Sequence, residues 1–420
     1  MRAGVYTLSF VLARGALYGA PLMLANLLRS DEYGALETAQ ATASLVANAA
    51  ALGTAGLVPL VLLQHTKNAT LAGITLHHLV LAAICIAAAL YCWLVGVSLA
   101  WPIAAIFTAA IALQTLGSTH LKSLGRSEAS VLLDAGLFGL MALAGLCAHW
   151  LDSRYAMTFV IAAATGYAMV LMGVYLTVFC RARSANIAGQ WWSALGMGWP
   201  LMLGGIVSIL ATTSGRLGIG LLAGPLVAAD YAVISRAAAL PIVAHQLIMI
   251  ARFRDLFALP HAQAERAAAQ IVALVAVSAF GFWLLCPWFG ALLGPAFVDA
   301  WVNHRLPGAW IVAQSVLWSA IALNDLVISR QQVMMRVLPF SAAFIVLALG
   351  LGWWLLQWLG ANLPNFVYVH GMLMLLFYIV QSVAMLDAGI FLWRVWGVAG
   401  GSYLLIIGSA TARVWLYPAP

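Results

Sequence analysis

The chain has 420 residues, of which 65% are hydrophobic and 7% charged, with a mean hydropathy of +1.01 and a formal net charge of +7. Soluble domains carry about 25% charged residues, so a soluble enzyme or binding module is excluded. Apolar runs of about 20 residues recur from end to end and strand-like alternation is absent, which marks an all-α polytopic membrane protein. The positive charge is scattered singly through short loops with no aromatic-interleaved basic patch, which argues against a nucleic-acid partner.

In chain order, the hydropathy pattern predicts spans at 5–28, 35–60, 76–97, 101–121, 130–149, 155–179, 193–222, 227–250, 267–293, 309–329, 337–359 and 364–386. A thirteenth candidate covers 395–416, where Gly400-Gly401 and Arg413 weaken the run. Arg14 interrupts the first run and no small-residue cleavage site follows it, so a span is expected there and not a removable signal peptide. Arg14 lies about 15 Å into that span at 1.5 Å per residue, with Tyr18 one turn further on the same face. An ionised side chain at the bilayer centre costs roughly 2.5–3.5 kcal/mol on insertion scales, so Arg14 must face protein or water.

Span two carries Glu37, Gln40, Ser44 and Asn48 at spacings that place all four on one helical face. Such a stripe suits sugar hydroxyls along a wet cavity, or hydrogen bonds between helices. Span five carries Asp134 and span ten carries Asp325 beside Gln314 and Trp318. Each acid lies about one turn from a basic loop residue, Arg126 or Arg330, so each is either a coupling carboxylate or half of a gating or tethering ion pair. Span seven brings a stripe of Ser208 and Thr212 ending at Arg216, and span eight brings Arg236. Both arginines lie in the outer half, where a guanidinium can partly snorkel or pair with an acid. His77-His78 are expected at the membrane interface, and Gly218, Gly220 and Gly224 at a close helix contact, since no βαβ context supports a nucleotide fingerprint.

Of the 19 lysines and arginines, most fall on one side when the N-terminus is cytoplasmic. Arg2, Lys67, Lys122, Arg126, Arg181, Arg183, Arg252, Arg254, Arg266, Arg330, Arg336 and Arg394 then lie inside. Arg29, Arg154, Arg305 and Arg413 lie outside. This obeys the positive-inside rule and leaves Arg14, Arg216 and Arg236 as the membrane-buried exceptions. Cys85, Cys92, Cys147, Cys180 and Cys286 are too dispersed for a disulfide framework or a metal centre. No metal or other cofactor is expected. With no phosphate-cradling ATPase loop, active transport would draw on an ion gradient, the membrane potential or consumption of product.

A weak repeat relates Asp31-Glu32-Tyr33-Gly34, between spans one and two, to Asp230-Tyr231-Ala232, between spans seven and eight. A second relates Lys122–Arg126 to Arg330–Arg336. The six-span offset predicts two parallel six-helix bundles around a central cavity, residues 1–186 and 187–390, with 391–420 as an extra segment.

The acidic-Tyr-Gly turn at Asp31-Glu32-Tyr33-Gly34, and Trp199-Pro200-Leu201 leading through Ser214-Gly215-Arg216 to Asp230-Tyr231 and Arg236, resemble the polysaccharide flippases (O-antigen-type translocases) of the multidrug/oligosaccharidyl-lipid/polysaccharide exporter superfamily. The resemblance covers about 1–390. It implies a transporter and not an enzyme, in the bacterial inner membrane, moving an undecaprenyl-diphosphate-linked oligosaccharide for O-antigen, capsule or exopolysaccharide synthesis. It also implies membrane lipid, the lipid-linked glycan, and polysaccharide polymerase and chain-length machinery as partners. Arg14, Arg216 and Arg236 are then expected to grip the diphosphate, since a planar guanidinium matches phosphate oxygens two at a time, while the bundles rock about it. A cation-coupled multidrug exporter of the same fold is the nearest rival, but it calls for buried acids and the first span has none. A membrane glycan ligase or lipid-sugar transferase needs a large outer loop, and the segment around Asp299–Arg305 is short. A non-transporting assembly scaffold would pair off all its buried charges.

Overall fold

A computed structural model describes residues 2–63, 70–182, 186–243, 245–246, 261–331 and 333–416. Lys67, Arg183, Arg252 and Arg254 of the basic loops, and the side chains of Ser208 and Thr212, lie outside what is described. Among the described residues every regular element is helical. The long helices are α1 (Arg2–Leu27), α2 (Ser30–Ala50), α4 (Leu71–Val95), α5 (Ala100–Ser123), α6 (Ser127–Leu151), α7 (Ala156–Ala182) and α8 (Ile187–Ala223). They are followed by α9 (Pro225–Ala238), α10 (His261–Phe289), α12 (Arg305–Arg330), α13 (Met334–Leu359), α14 (Leu363–Asp387) and α15 (Trp393–Leu416). Two short helices, α3 (Val58–Leu63) and α11 (Pro295–Asn303), complete the set.

Ten of these helices are long and apolar enough to cross a membrane, or 11 when the bent pair that begins with α2 is taken as one span. The chain is therefore a multi-pass, all-α membrane protein. The weak thirteenth candidate is among the ten, as Trp393–Arg413. The 37 residues of α8 rise about 55 Å at 1.5 Å per residue, well beyond the roughly 30 Å hydrocarbon layer. A helix of that length spans the layer only with tilt or with part of it beyond the hydrocarbon.

The chain divides into two compact units, Met1–Ala229 and Asp230–Pro420. The division falls after α8, which packs on α2 and α4, whereas the repeat places a boundary at 186/187, where α8 begins. In the first unit α5 is the central helix: 67% of its apolar window is buried, against 22% for α4. Phe107, Leu113 and Leu116 anchor it with almost no exposure. In the second unit α12 plays that part at 78% buried, and α13 is the most exposed at 17%. Each unit thus has a protein-facing centre and apolar outer helices whose exposed leucines, valines and tryptophans suit lipid.

Helix ends follow local chemistry. Two acids, Asp31 and Glu32, open α2, where negative charge complements the helix dipole, and the Glu32 carboxylate accepts from the Arg29 N–H at 3.3 Å. The Thr70 hydroxyl caps α4 by accepting from the Gly73 N–H at 3.2 Å, and it donates to Gln190 Oε1 on α8 at 2.7 Å.

Close approach of α2 to α9 and to α8 depends on glycine. A Cβ at Gly34 would strike the backbone of Pro225, and one at Gly220 would strike the Thr38 side chain. Gly220 is therefore a packing glycine, as expected from its context. Such small residues let helix backbones meet in a membrane, where dispersion replaces the hydrophobic drive.

Candidate functional site

Arg14 lies midway along α1. The face of α1 carrying Ala13, Leu17, Ala20 and Leu24 packs on α6, with Ala20, Phe138 and Ala142 at the contact. Val11, Leu12, Gly15 and Gly19 form the exposed face. At 100° per residue, Phe10, Arg14 and Tyr18 run along the flank between the two. The Arg14 guanidinium carbon sits over the Phe10 ring, 5.2 Å from its centroid. That contact suits a cation, since the ring face carries negative charge density. The Arg14 Nε is buried without a hydrogen-bond partner among the described residues. A side chain at Gly15 or Gly19 would meet nothing within 4 Å, so the space beside Arg14 is open.

Arg216 is in a different situation. Its Nη1 donates to Glu37 Oε2 at 3.0 Å, with side-chain exposures of 18% and 3%. The Tyr33 hydroxyl donates to the other oxygen, Glu37 Oε1, at 3.1 Å. The acidic-Tyr-Gly turn thus supplies the phenol that completes a buried pair between α2 and α8. Arg216 and Glu37, both expected to meet cargo, are thus paired with each other in this structure. Removing either partner of such a pair is far more costly than the net worth of the pair itself.

Ser44 and Asn48 of the α2 stripe are bonded within their own helix. The Ser44 hydroxyl donates to the Gln40 carbonyl at 2.9 Å and the Asn48 amide to the Ser44 carbonyl at 3.0 Å. Gln40 is buried. Asp134 pairs with Lys122 at 3.4 Å across α5 and α6, not with Arg126, and both side chains are about half exposed. A pair this wet tethers weakly, by about 0–1 kcal/mol.

The second unit holds Arg236 and Asp325. Arg236 is 9% exposed on α9. Asp325 Oδ1 accepts from Gln381 Nε2 at 2.8 Å, and Gln381 Oε1 accepts from Asn324 Nδ2 at 3.0 Å. The expected partner Arg330 is replaced in this contact by an amide from α14. One layer away, Gln314 Oε1 lies 3.2 Å from His370 Nδ1, and His370 stacks on Phe366, which meets Tyr231 edge-on. Both bridges join α12 to α14 at the same sequence offset of 56. Equal offsets mean parallel helices, and the 11-residue step between the bridges returns to the same face after about three turns.

Span two is broken. Ser30–Ala50 and Thr54–Leu62 meet at 54°, and Leu52 and Gly53 take positive φ values of 49° and 67°. For Leu52 the left-handed conformation costs about 1–2 kcal/mol. A Cβ on Gly53 would collide with the backbone of Gly198 and Met202 on α8, so glycine is required there. Side chains bond the carbonyls at the break, and the Ala51 carbonyl also accepts from the Thr54 N–H at 3.0 Å. His77 Nε2 lies 2.9 Å from the Ala50 carbonyl, and Trp191 Nε1 donates to His77 Nδ1 at 3.2 Å. Thr54 Oγ1 donates to the Ala51 carbonyl at 2.7 Å and lies 3.1 Å from His78 Nε2. His77 and His78 are therefore buried within the protein, at 8% and 0% exposure. Burial of irregular backbone is the condition for keeping it at membrane depth. Among the described residues no group of acids, histidines or cysteines could hold a metal.

No family model matches the chain, and no curated protein matches it. Solved chains that match in structure include the MATE multidrug transporter DinF-BH and one described as protein A. Each aligns at a TM-score of 0.60 and 12% identity, covering 92% of this chain and 96% of the other. The chain has the MATE transporter fold. At this identity the MATE likeness speaks to architecture, and the chemistry of the cargo has to come from the residues above.

Proposed function

We propose that this MATE-fold chain is an exporter whose cargo is an anionic lipid-linked glycan, of the undecaprenyl-diphosphate class, carried out across the bacterial cytoplasmic membrane. The observation that supports this reading is Arg14: a guanidinium midway along the first span, resting on Phe10 with its Nε unbonded, beside the open space left by Gly15 and Gly19. A cation in that setting is offset by an anion that arrives with the cargo, and a diphosphate presents oxygens in the geometry a guanidinium prefers. Glu37, the acid a cationic drug would need in the first unit, is neutralised by Arg216. The cationic grip is thereby assigned chiefly to Arg14, with Arg216 as a strut.

The second reading is a cation-coupled multidrug exporter. It is favoured by the likeness to DinF-BH and by Asp325, an acid inside the second unit held by an amide. The two readings separate in one experiment. In cells carrying Arg14→Ala at wild-type protein level, the flippase reading expects loss of surface glycan with unchanged tolerance of lipophilic cations. Intact glycan with raised drug sensitivity in cells deleted for the chain establishes the second reading instead.

A further inference from the structure

The break in span two is fastened by a bond that exists in one protonation state only. A carbonyl can only accept, so His77 Nε2 carries the proton it gives to Ala50 at 2.9 Å. An indole N–H can only donate, so His77 Nδ1 is the bare acceptor for Trp191 at 3.2 Å. The clasp thus requires the neutral imidazole in a single tautomer. Adding a proton to Nδ1 sets two donors against each other and abolishes the bond to Trp191, while the bond to Ala50 survives.

The setting makes that one bond consequential. Trp191 stacks on Trp192 at the start of α8, 5.8 Å between ring centroids, and the same end of α8 is tied to α4 by Gln190 and Thr70. Gly53 and Gly198 approach backbone to backbone, and the Leu201 side chain of α8 lies against Gly53 and Gly56. The bent arm Thr54–Leu62 joins the rest of span two through the positive-φ pair Leu52–Gly53. Around His77 stand Ala50 and Thr54 from the broken span, Trp191 and Gln190 from α8, and His78 from α4, whose ring lies 5.9 Å away. Toward the same end, His120 of α5 meets Tyr175 of α7 at 6.5 Å, Lys122 is paired with Asp134, and Arg181 is exposed. His78 is therefore the titratable neighbour in ring contact, and it is bonded to Thr54.

We propose that His77 is a proton-operated latch, closed when neutral, that fastens the cytoplasmic arm of span two to α8 and releases it when protonated. The proposal rests on the bend and its hydrogen bonds and is independent of which cargo the chain exports. It makes cytoplasmic acidification a signal that loosens one end of the first unit.

Hydrogen exchange on the full chain in lipid nanodiscs, read by mass spectrometry at pH 8 and pH 5.5 and corrected for intrinsic exchange, tests it. In the wild type, protection of residues 50–57 and 187–195 is expected to fall roughly tenfold at the acid pH, the worth of one buried hydrogen bond. Trp191→Phe keeps the ring stack and removes the donor, so it is expected to show the low protection at both pH values. The buried stretch around Leu113 and Leu116 should stay protected throughout. A wild type with no pH response at the bend overturns the latch. So does a Trp191→Phe protein that retains the full response, or loss of protection that extends equally to α5.

Discussion

Arg14 and Arg216 illustrate how two part-buried guanidinium groups acquire different roles from their surroundings. Arg216 faces a carboxylate that itself holds a tyrosine hydroxyl, so its charge is locally balanced. Glu37→Ala leaves Arg216 without its carboxylate, and stability is expected to fall by roughly 3 kcal/mol, read as a lower unfolding midpoint in detergent. The double variant Glu37→Gln with Arg216→Gln should recover most of that loss, since neither charge then remains. Lys122→Ala, by contrast, removes a half-exposed pair with Asp134 and should shift stability by less than about 1 kcal/mol. Arg14→Lys keeps the charge at the centre of α1 but loses the planar fork, so partial glycan export is expected where Arg14→Ala gives none.

At the scale of the helices, glycine decides which faces can meet. Gly220→Leu drives a branched side chain into Thr38 on α2, and should separate α2 from α8 and lower the folded yield. Gly15→Ala meets open space and should fold normally; at most it narrows access to Arg14, which export rates would report. Long apolar runs made most helices legible from sequence: the span read at 130–149 is Ser127–Leu151, and that at 364–386 is Leu363–Asp387. The break in span two was not legible. Residues 35–60 carry no charged or strongly polar residue after Asn48 to interrupt the hydropathy run near the break, and the left-handed turn at Leu52–Gly53 is stabilised by His77, Thr54 and His78, two of them on another helix. Helix α11 was hidden for a different reason, being only nine residues long and too short for a span pattern. The Arg216–Glu37 pair joins residues 179 apart, and the Asp325–Gln381 bridge joins residues 56 apart. Helical periodicity can place each of these on a face but cannot say which face it meets.

For the whole molecule, the charge asymmetry of the loops makes a cytoplasmic N-terminus the expected orientation. Single-cysteine labelling at Leu124 should then require inside access, and labelling at Trp150 should proceed from outside; both residues are exposed at helix ends. The central claim concerns cargo, and it is tested most directly by reconstituting the chain in vesicles and following a fluorescent undecaprenyl-diphosphate oligosaccharide between leaflets. Wild-type protein is expected to accelerate the crossing, and Arg14→Ala to bring it back to the protein-free rate at equal incorporation. Equal acceleration by both proteins, or none by the wild type while a lipophilic cation is moved, would contradict the assignment of an anionic glycan carrier.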